Sequence, residues 1–183
     1  LLNIRGKDSA YTPVLKSQAL LTQKRLYVFC EMQKISNTIK QAYKKNVVFK
    51  EESFLFKILA KNKKKLITID PSASVKTVNY LNEKKLNVRF KPDPISQLKT
   101  KKNRIEIQNT KVAHIYDGVA VAKFIIWLKK QKKINKLSEI SAQNKLEKFR
   151  KDNSSYLFPS FPTISGFGKN AAIIHYRASK QSN

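Results

Sequence analysis

Short strand-forming runs alternate with segments of helical spacing along the first half of the chain, and this alternation constrains the fold most strongly. Runs rich in β-branched and aromatic residues predict four strands, at residues 25–29, 47–49, 66–69 and 88–90. Between them, apolar residues recur at steps of three or four. They predict three helices, marked by Ile35, Ile39 and Ala42, by Phe54, Ile58 and Leu59, and by Val75, Val78 and Leu81. Such alternation is typical of α/β proteins, so an α/β fold is expected.

Residues 102–131 contain no proline and a single glycine, which favours one long helix. Apolar side chains at helical spacing form one stripe along it, made of Ile105, Val112, Ile115, Val119 and Ala122. The part at 119–128 is apolar nearly all round. We therefore expect it to be covered on more than one side, by parts of the structure that are not all present in this chain.

A second, shorter helix is expected to follow. Ser138 is a preferred N-cap residue, and Glu139 is favourable in the first turn because the helix dipole is positive there. The buried face of this helix is expected to continue through Ala142, Leu146 and Phe149.

Two prolines interrupt the pattern between the two halves. The segment 91–95, KPDPI, can continue neither a helix nor a central strand, because proline lacks the backbone donor that both require. We interpret it as a connection between domains, which places the predicted domains at residues 1–96 and 97–183.

Residues 158–176 return to strand-like character, with a break at Gly166-Phe167-Gly168. The glycines predict a turn between two extended pieces, that is, a hairpin. The second piece, AAIIHY at 171–176, carries His175, which we expect at a sheet edge where a substrate could reach it. A half-buried strand histidine, bonded to a neighbouring backbone group, is an equally open interpretation.

The chain offers few catalytic groups. Its two histidines are His114 and His175, and HExxH, paired CxxC, Walker-type and Gly-x-Ser-x-Gly motifs are absent from the sequence. A structural or surface role is expected for His114 on the long helix. Cys30 lies in the apolar run LYVFC and is expected to pack as a small hydrophobe. We expect no active site wholly contained in this chain.

The formal net charge of +26 suggests a polyanionic partner. However, six of the 38 basic residues are arginines, and the lysines are spread along the whole chain. Arginine is the preferred residue for reading phosphate and guanine, so no specific nucleic-acid partner is expected. Weak, salt-sensitive polyanion binding stays open as an alternative function.

The chain begins at Leu1 without an initiator methionine, and we expect it to be an internal fragment of a longer protein. No secretory signal is recognisable, and the apolar run at 119–128 is far shorter than the ~20 residues that a bilayer requires. The expected location is the cytoplasm, with no membrane partner.

Four segments resemble one family in register. The run SFPTISGFGKNAAIIHYR at 160–177 resembles the start of the pita-bread catalytic domain of Xaa-Pro aminopeptidases, in the creatinase/prolidase family. Residues 102–128 and 137–150 resemble the first two helices of that domain. Residues 1–14 are similar to the start of the second domain in the large, three-domain form, aminopeptidase P. The resemblance implies a creatinase-like α/β domain with a mixed sheet at 1–96 and an incomplete α+β pita-bread domain at 97–183.

The resemblance also implies a chemistry. Family members remove the N-terminal residue from peptides with proline at the second position, using two divalent metal ions, usually manganese, that activate a water. The five metal ligands lie C-terminal to the HY motif, so none is expected in this chain and all are expected beyond Asn183. His175 is implied to contact substrate and to move or stabilise a proton. The intact enzyme is expected to be a homodimer.

Smaller roles follow for other matching positions. Tyr176 is a weaker candidate for substrate binding, with packing as its favoured role. Gly166 and Gly168 are expected to shape the hairpin. Turn formation or domain packing is expected for Asn3, Arg5 and Gly6.

Two further hypotheses stay open beside the peptidase. One is a non-catalytic remnant of a decayed peptidase gene that serves as an interaction domain, and the other is the polyanion binder. The fragment itself is expected to be inactive and, because it exposes apolar surface, marginally stable or adhesive.

Overall fold

The strand-forming runs build two small sheets in the computed structural model of the chain. In the first sheet, β1 (Gln18–Leu21) runs antiparallel to β2 (Leu26–Phe29), and β2 runs parallel to β3 (Val47–Lys50). In the second, β4 (Ile67–Ile69) runs parallel to β5 (Val88–Phe90). The four predicted strands are confirmed, and the first sheet is mixed.

The structure describes residues 2–131 and 136–181. They belong to two compact units, Leu1–Lys101 and Lys102–Asn183. The first unit holds both sheets and the helices α1 (Asn37–Tyr43), α2 (Phe54–Lys61), α3 (Val75–Glu83) and α4 (Pro94–Thr100). The second unit holds α5 (Arg104–Lys129) and α6 (Glu139–Lys151). The five predicted helices are confirmed as α1, α2, α3, α5 and α6.

Strand β1 has no counterpart among the predicted strands. Its sequence, QALL, contains no β-branched or aromatic residue, and Leu21 is 77% exposed. The strand forms because it pairs with β2, with Ala19 opposite Val28. The connecting turn is closed by Thr22, whose N–H donates to the Arg25 carbonyl at 3.0 Å while its hydroxyl accepts from the Arg25 N–H at 3.1 Å.

Helix α4 lies where the sequence predicts a connection. Pro94 occupies the start of the helix, where its missing N–H would have no intrahelical partner in any case. Asp93 caps the helix by accepting from the Ile95 N–H at 2.9 Å. The last two residues of the segment interpreted as a connection, Pro94 and Ile95, thus begin a short helix, while the interpretation of 91–95 as a connection between domains stays a prediction.

Two apolar clusters form the core of the first unit. Phe29, at the end of β2, is fully buried in one of them with Leu55, Leu59, Ile67, Leu81 and Leu86. The residues on either side of it point to the other face of the sheet, as alternation along a strand requires. Cys30 is fully buried there in a cluster with Val28, Ile35, Val47 and Phe49. The prediction that Cys30 packs as a small hydrophobe is confirmed.

Helices α5 and α6 pack together through charged and aromatic side chains. Arg150 of α6 binds Asp117 of α5 through two nitrogens, with Nε 2.6 Å from Oδ1 and Nη2 3.3 Å from Oδ2. Lys145 lies over the rings of Trp127 and Phe149, 5.4 and 4.9 Å from their centroids. All five residues of the predicted apolar stripe of α5 are exposed in the described part of the chain.

The predicted hairpin at 158–176 is wrong. No strand occurs between these residues; an irregular stretch leads instead into a 3₁₀ helix at Gly168–Ala172 and then into a turn. A hairpin requires two segments that satisfy each other's backbone groups, and here Phe167 donates its N–H to the carboxylate of Glu139 at 2.7 Å instead. Contacts to helix α6 therefore replace strand pairing.

Candidate functional site

The carboxylate of Glu139, at the start of α6, organises the segment that carries His175. Glu139 is 7% exposed. Its Oε1 accepts from the Phe167 N–H at 2.7 Å and from the Asn170 side-chain amide at 3.1 Å, and its Oε2 accepts from the Tyr176 hydroxyl at 2.5 Å. A buried carboxylate is tolerated when such donors surround it. We call Glu139, Phe167, Asn170 and Tyr176 the Glu139 cluster.

The local sequence explains why this carboxylate has a fixed position. Ser138 caps α6 by accepting from the Ser141 N–H at 3.1 Å, and the Ser141 hydroxyl accepts from the Ser138 N–H at 2.9 Å. The Ser165 hydroxyl also donates to the Glu139 carbonyl at 2.9 Å. The first turn of α6 therefore binds the following segment by backbone and side chain together.

Two glycines permit the backbone path around this carboxylate. A Cβ atom at Gly166 would lie 3.0 Å from the Asn170 carbonyl oxygen and 3.1 Å from the Ala171 backbone, so a side chain there would displace the 3₁₀ helix. Gly168 has a φ of +58°, a left-handed conformation that favours glycine. The backbone that these glycines shape is a 3₁₀ turn and not the predicted hairpin.

His175 lies on the surface immediately after this turn. It is exposed, and among the residues that the structure describes its ring has no hydrogen-bond or ion-pair partner. Its φ is +56°, which is uncommon for a residue with a side chain. The following Tyr176 N–H donates to the Ile173 carbonyl at 3.3 Å and closes the turn. The alternative of a half-buried histidine bonded to neighbouring backbone does not fit this position.

Tyr176 points the opposite way from its neighbour. It is 8% exposed, and its hydroxyl both donates to Glu139 and accepts from the Asn170 amide at 3.0 Å. The structure thus brings Tyr176 together with Glu139, while His175 lies outside this contact. The packing role favoured by the sequence matches this location better than substrate contact.

Glu139 and Asn170 are the site residues that the sequence analysis missed. An acidic residue after a serine cap is ordinarily exposed and interacts favourably with the positive end of the helix dipole. No neighbouring residue in the sequence indicates that Glu139 is buried. Its partners are 26 to 37 residues further along the chain. The one available signal is the resemblance, because 137–150 and 160–177 match the family in the same register.

No group of three or more His, Cys, Asp or Glu side chains in the described parts of the chain is arranged to hold a metal ion. His114, on α5, is exposed, and its Nδ1 lies 2.8 Å from the Thr110 carbonyl. This matches the structural or surface role predicted for it. No helix among residues 2–131 and 136–181 is both long and apolar enough to cross a membrane.

The N-terminal segment is anchored by Asp8. Its carboxylate accepts from the Lys16 N–H at 2.7 Å and pairs with the Lys34 ammonium at 2.8 Å. The hydrogen bond from Lys34, followed by that from the Lys16 backbone, lowers the pKa of Asp8 below its usual 3.8.

A Cβ atom at Gly6 would lie 2.7 Å from the Val14 carbonyl, and Asn3 has a φ of +49°. Gly6 thus lies close to the backbone of Val14, and Asn3 has a left-handed backbone, as turn and packing positions do.

Comparison with known proteins identifies the class to which this fold belongs. Residues 1–106 match the family described as the creatinase/prolidase N-terminal domain, and residues 108–182 match metallopeptidase family M24. Since the first match covers more than half of the chain, the protein belongs to the creatinase/prolidase N-terminal domain family, and the residues that follow this domain are similar to family M24.

Relatives with a more specific name match almost the entire chain. Xaa-Pro aminopeptidase 1 of Dictyostelium discoideum is 34% identical over 183 residues, which are 97% of this chain and 29% of that protein. A probable Xaa-Pro aminopeptidase P of Sordaria macrospora is 34% identical over 195 residues, 97% of this chain and 31% of that protein. The chain thus spans about 30% of the length of these relatives.

One solved structure shows the same similarity. The crystal structure of X-prolyl aminopeptidase from Caenorhabditis elegans, described as a cytosolic enzyme with a di-nuclear active site, matches all of this chain and 31% of that one. The TM-score is 0.88 at 25% sequence identity. The resemblance to Xaa-Pro aminopeptidases seen in the sequence is confirmed.

Proposed function

We propose that the protein is an Xaa-Pro aminopeptidase, a metal-dependent hydrolase that removes the N-terminal residue from peptides with proline at the second position. The observation that carries the proposal is the exposed imidazole of His175 on a fixed turn, within the stretch that matches family M24. The names of the matching relatives support the reaction and the substrate class.

His175 is the group through which this chain acts on the substrate. An imidazole gains or loses a proton near neutral pH and can donate or accept a hydrogen bond at a peptide group. Its exposure leaves the ring accessible to a peptide, and the left-handed backbone of His175 sets the direction in which the side chain leaves the turn. In this proposal Tyr176 holds the turn through its hydrogen bond to Glu139, and Gly166 and Gly168 permit the backbone path of the segment that leads to the turn.

The metal ions belong to another part of the enzyme. The proposal includes two divalent ions, manganese by family resemblance, and the solved relative is described as di-nuclear. The described residues do not offer a set of ligands that fits such a pair. By family resemblance, the ligands are proposed to lie C-terminal to Asn183, and the contribution of this chain to the chemistry is the imidazole of His175.

The proposal extends to the setting in which the enzyme works. We place the enzyme in the cytoplasm, in line with the cytosolic description of the solved relative. We also propose a homodimer, with neither a membrane nor a specific nucleic acid as partner. The dominance of scattered lysine over arginine supports the last point.

The test uses the protein expressed from its complete reading frame. With manganese present, it is expected to cleave the first residue from an Xaa-Pro peptide and to leave an Xaa-Ala peptide largely intact. His175→Ala is expected to lower kcat by roughly 10²–10⁴-fold, the usual contribution of a positioned proton-transfer group.

The matched control is His114→Ala, which removes the other histidine of the chain from an exposed helix position. It is expected to leave kcat nearly unchanged. Absence of Xaa-Pro cleavage by the wild-type protein would favour a non-catalytic remnant. Equal effects of the two histidine substitutions would contradict the role of His175 while leaving the peptidase assignment in place.

A further inference from the structure

We propose that Glu139 is a positioning residue for His175, a role that rests on the function proposed above for that histidine. Three donors converge on the Glu139 carboxylate, and all three belong to the segment that leads into and out of the His175 turn: the Phe167 N–H, the Asn170 amide and the Tyr176 hydroxyl. The last of them comes from the residue directly after His175. The carboxylate thus fixes the turn on both sides of the 3₁₀ helix.

The conformation of His175 requires such a support. The left-handed region is uncommon for a residue with a side chain and persists where surrounding contacts hold it. The His175 ring itself makes no hydrogen bond or ion pair to any residue that the structure describes. Among the described residues, the contacts that hold the turn are made by the next residue, Tyr176, whose N–H donates to the Ile173 carbonyl and whose hydroxyl donates to Glu139.

The support is rigid because it is built on helix α6. Glu139 is the first residue of a 13-residue helix whose start is closed by the reciprocal hydrogen bonds of Ser138 and Ser141. The Ser165 hydroxyl binds the Glu139 carbonyl from the other side. Because the carboxylate is held at a fixed place on the helix, it also holds the turn that binds it at a fixed place. Residues that support a functional side chain in this way are a common requirement of functional sites.

The first experiment measures the geometry and does not depend on activity. In the 183-residue chain, NMR backbone shifts and the amide–Hα coupling of His175 report its φ. We expect Glu139→Ala to abolish the left-handed signature of His175 and the hydrogen-exchange protection of the Phe167 amide. Glu139→Gln, which keeps an oxygen for the Phe167 and Asn170 donors, is expected to retain part of both.

The matched control is Glu147→Ala, which removes another carboxylate from α6, one that pairs with Lys151 at 2.8 Å. It is expected to leave the His175 signals unchanged. If Glu139→Ala does not fold, Tyr176→Phe removes a single donor from the same carboxylate and provides the same measurement. A His175 that keeps its positive φ in the folded variant would overturn the proposal.

The second experiment measures kcat and KM of the complete enzyme in a double-mutant cycle. Because Glu139 is proposed to act through His175, Glu139→Gln is expected to lower kcat about 10-fold with little change in KM, and to have almost no effect in the His175→Ala background. A purely structural glutamate would lower activity equally in both backgrounds, and that result would overturn the proposal. An enzyme without Xaa-Pro cleavage would overturn the proposed function, while the NMR result would still decide whether Glu139 fixes the turn.

Discussion

The two units of the chain are ordered by different forces. In the first, apolar side chains form two buried clusters around β2 and its helices. In the second, the buried residues among those described are Ala120, Glu139 and Tyr176, two of which are joined by a hydrogen bond. The first unit thus has an apolar core, whereas helix caps, ion pairs and the Glu139 cluster order the second.

From this difference we infer that apolar burial in the first unit contributes most of the stability, whereas hydrogen bonds in the second unit fix one arrangement of its side chains. Apolar burial is the dominant favourable contribution to folding, while hydrogen-bonded polar groups contribute little net free energy and specify one arrangement. Large apolar side chains of the second unit are exposed, including Ile105, Ile115, Phe161, Phe167 and Ile174. We therefore expect the first unit to be the more stable of the two in this chain.

Phe29→Ala is expected to have the largest effect on stability. Phe29 is fully buried, so its truncation leaves a cavity and should lower the free energy of unfolding of the first unit by about 3–5 kcal/mol. Urea denaturation followed by circular dichroism measures this loss. Phe90→Ala is the control, because Phe90 is 53% exposed. Similar losses for the two variants would contradict an apolar core around β2.

Two tyrosines test the polar network of the second unit. Tyr176→Phe removes a donor from a buried carboxylate and is expected to lower the free energy of unfolding by about 1–3 kcal/mol. Tyr156→Phe removes a buried hydroxyl that has no hydrogen-bond partner among the residues the structure describes, so it is expected to be neutral or stabilising.

Burial raises the pKa of the Tyr156 phenol, which agrees with a hydroxyl that is removed from water. Thermal unfolding of the two variants, monitored by tryptophan fluorescence of Trp127, compares them directly. A loss of stability in Tyr156→Phe that equals the loss in Tyr176→Phe would show that the Glu139 contact has no special weight.

Lys85→Gly is expected to stabilise the first unit modestly. Lys85 follows α3 with a φ of +50°, and the Leu86 N–H donates back to the Leu81 carbonyl at 3.0 Å, the arrangement in which glycine is preferred. The gain should be about 0.5–1 kcal/mol, since the relief of left-handed strain is partly offset by the entropy of glycine in the unfolded chain. Lys84→Gly, at a residue with negative φ, should be destabilising instead.

Asp8→Asn should produce the smallest effect, a loss of stability that is present at neutral pH and disappears in acid. The folded-state pKa of Asp8 is lowered from 3.8, so its contribution is complete at pH values well above 3.8 and is lost as the pH falls through the folded-state value. The thermal midpoint of the first unit is expected to fall less steeply with decreasing pH in the variant. Some dependence of the thermal midpoint on pH is expected to persist in the variant, because hydrogen bonds from Ser72 and Asp93 also lower the pKa of Asp70. Identical slopes would rule out the Asp8 contribution.

The sequence predicted the regular elements where a periodic pattern was long enough. The 26 residues of α5 and the capped start of α6 at Ser138 are examples. It failed where a pattern had two physical meanings. A proline such as Pro94 interrupts a helix or a central strand, but it is also favoured at the first position of a helix, which is where Pro94 lies. The run AAIIHY at 171–176 is compatible with a strand and also with the 3₁₀ helix and turn that the structure shows.

The candidate site was predicted only in part. His175 was singled out through the resemblance; the structure shows that it is exposed, and its contact with substrate stays a prediction. The buried state of Glu139 was not predictable, because it depends on contacts with residues at least 26 positions away. Hydrophobic periodicity contains no information about a polar side chain whose partners are that distant.

The most direct test of the account is a crystal structure of the complete enzyme with two divalent ions and a slowly cleaved Xaa-Pro peptide. The account predicts that an imidazole nitrogen of His175 lies within hydrogen-bond distance, about 2.6–3.2 Å, of the peptide, with Tyr176 still bound to Glu139. A peptide bound beside the ions with the His175 ring turned away from it would contradict the account.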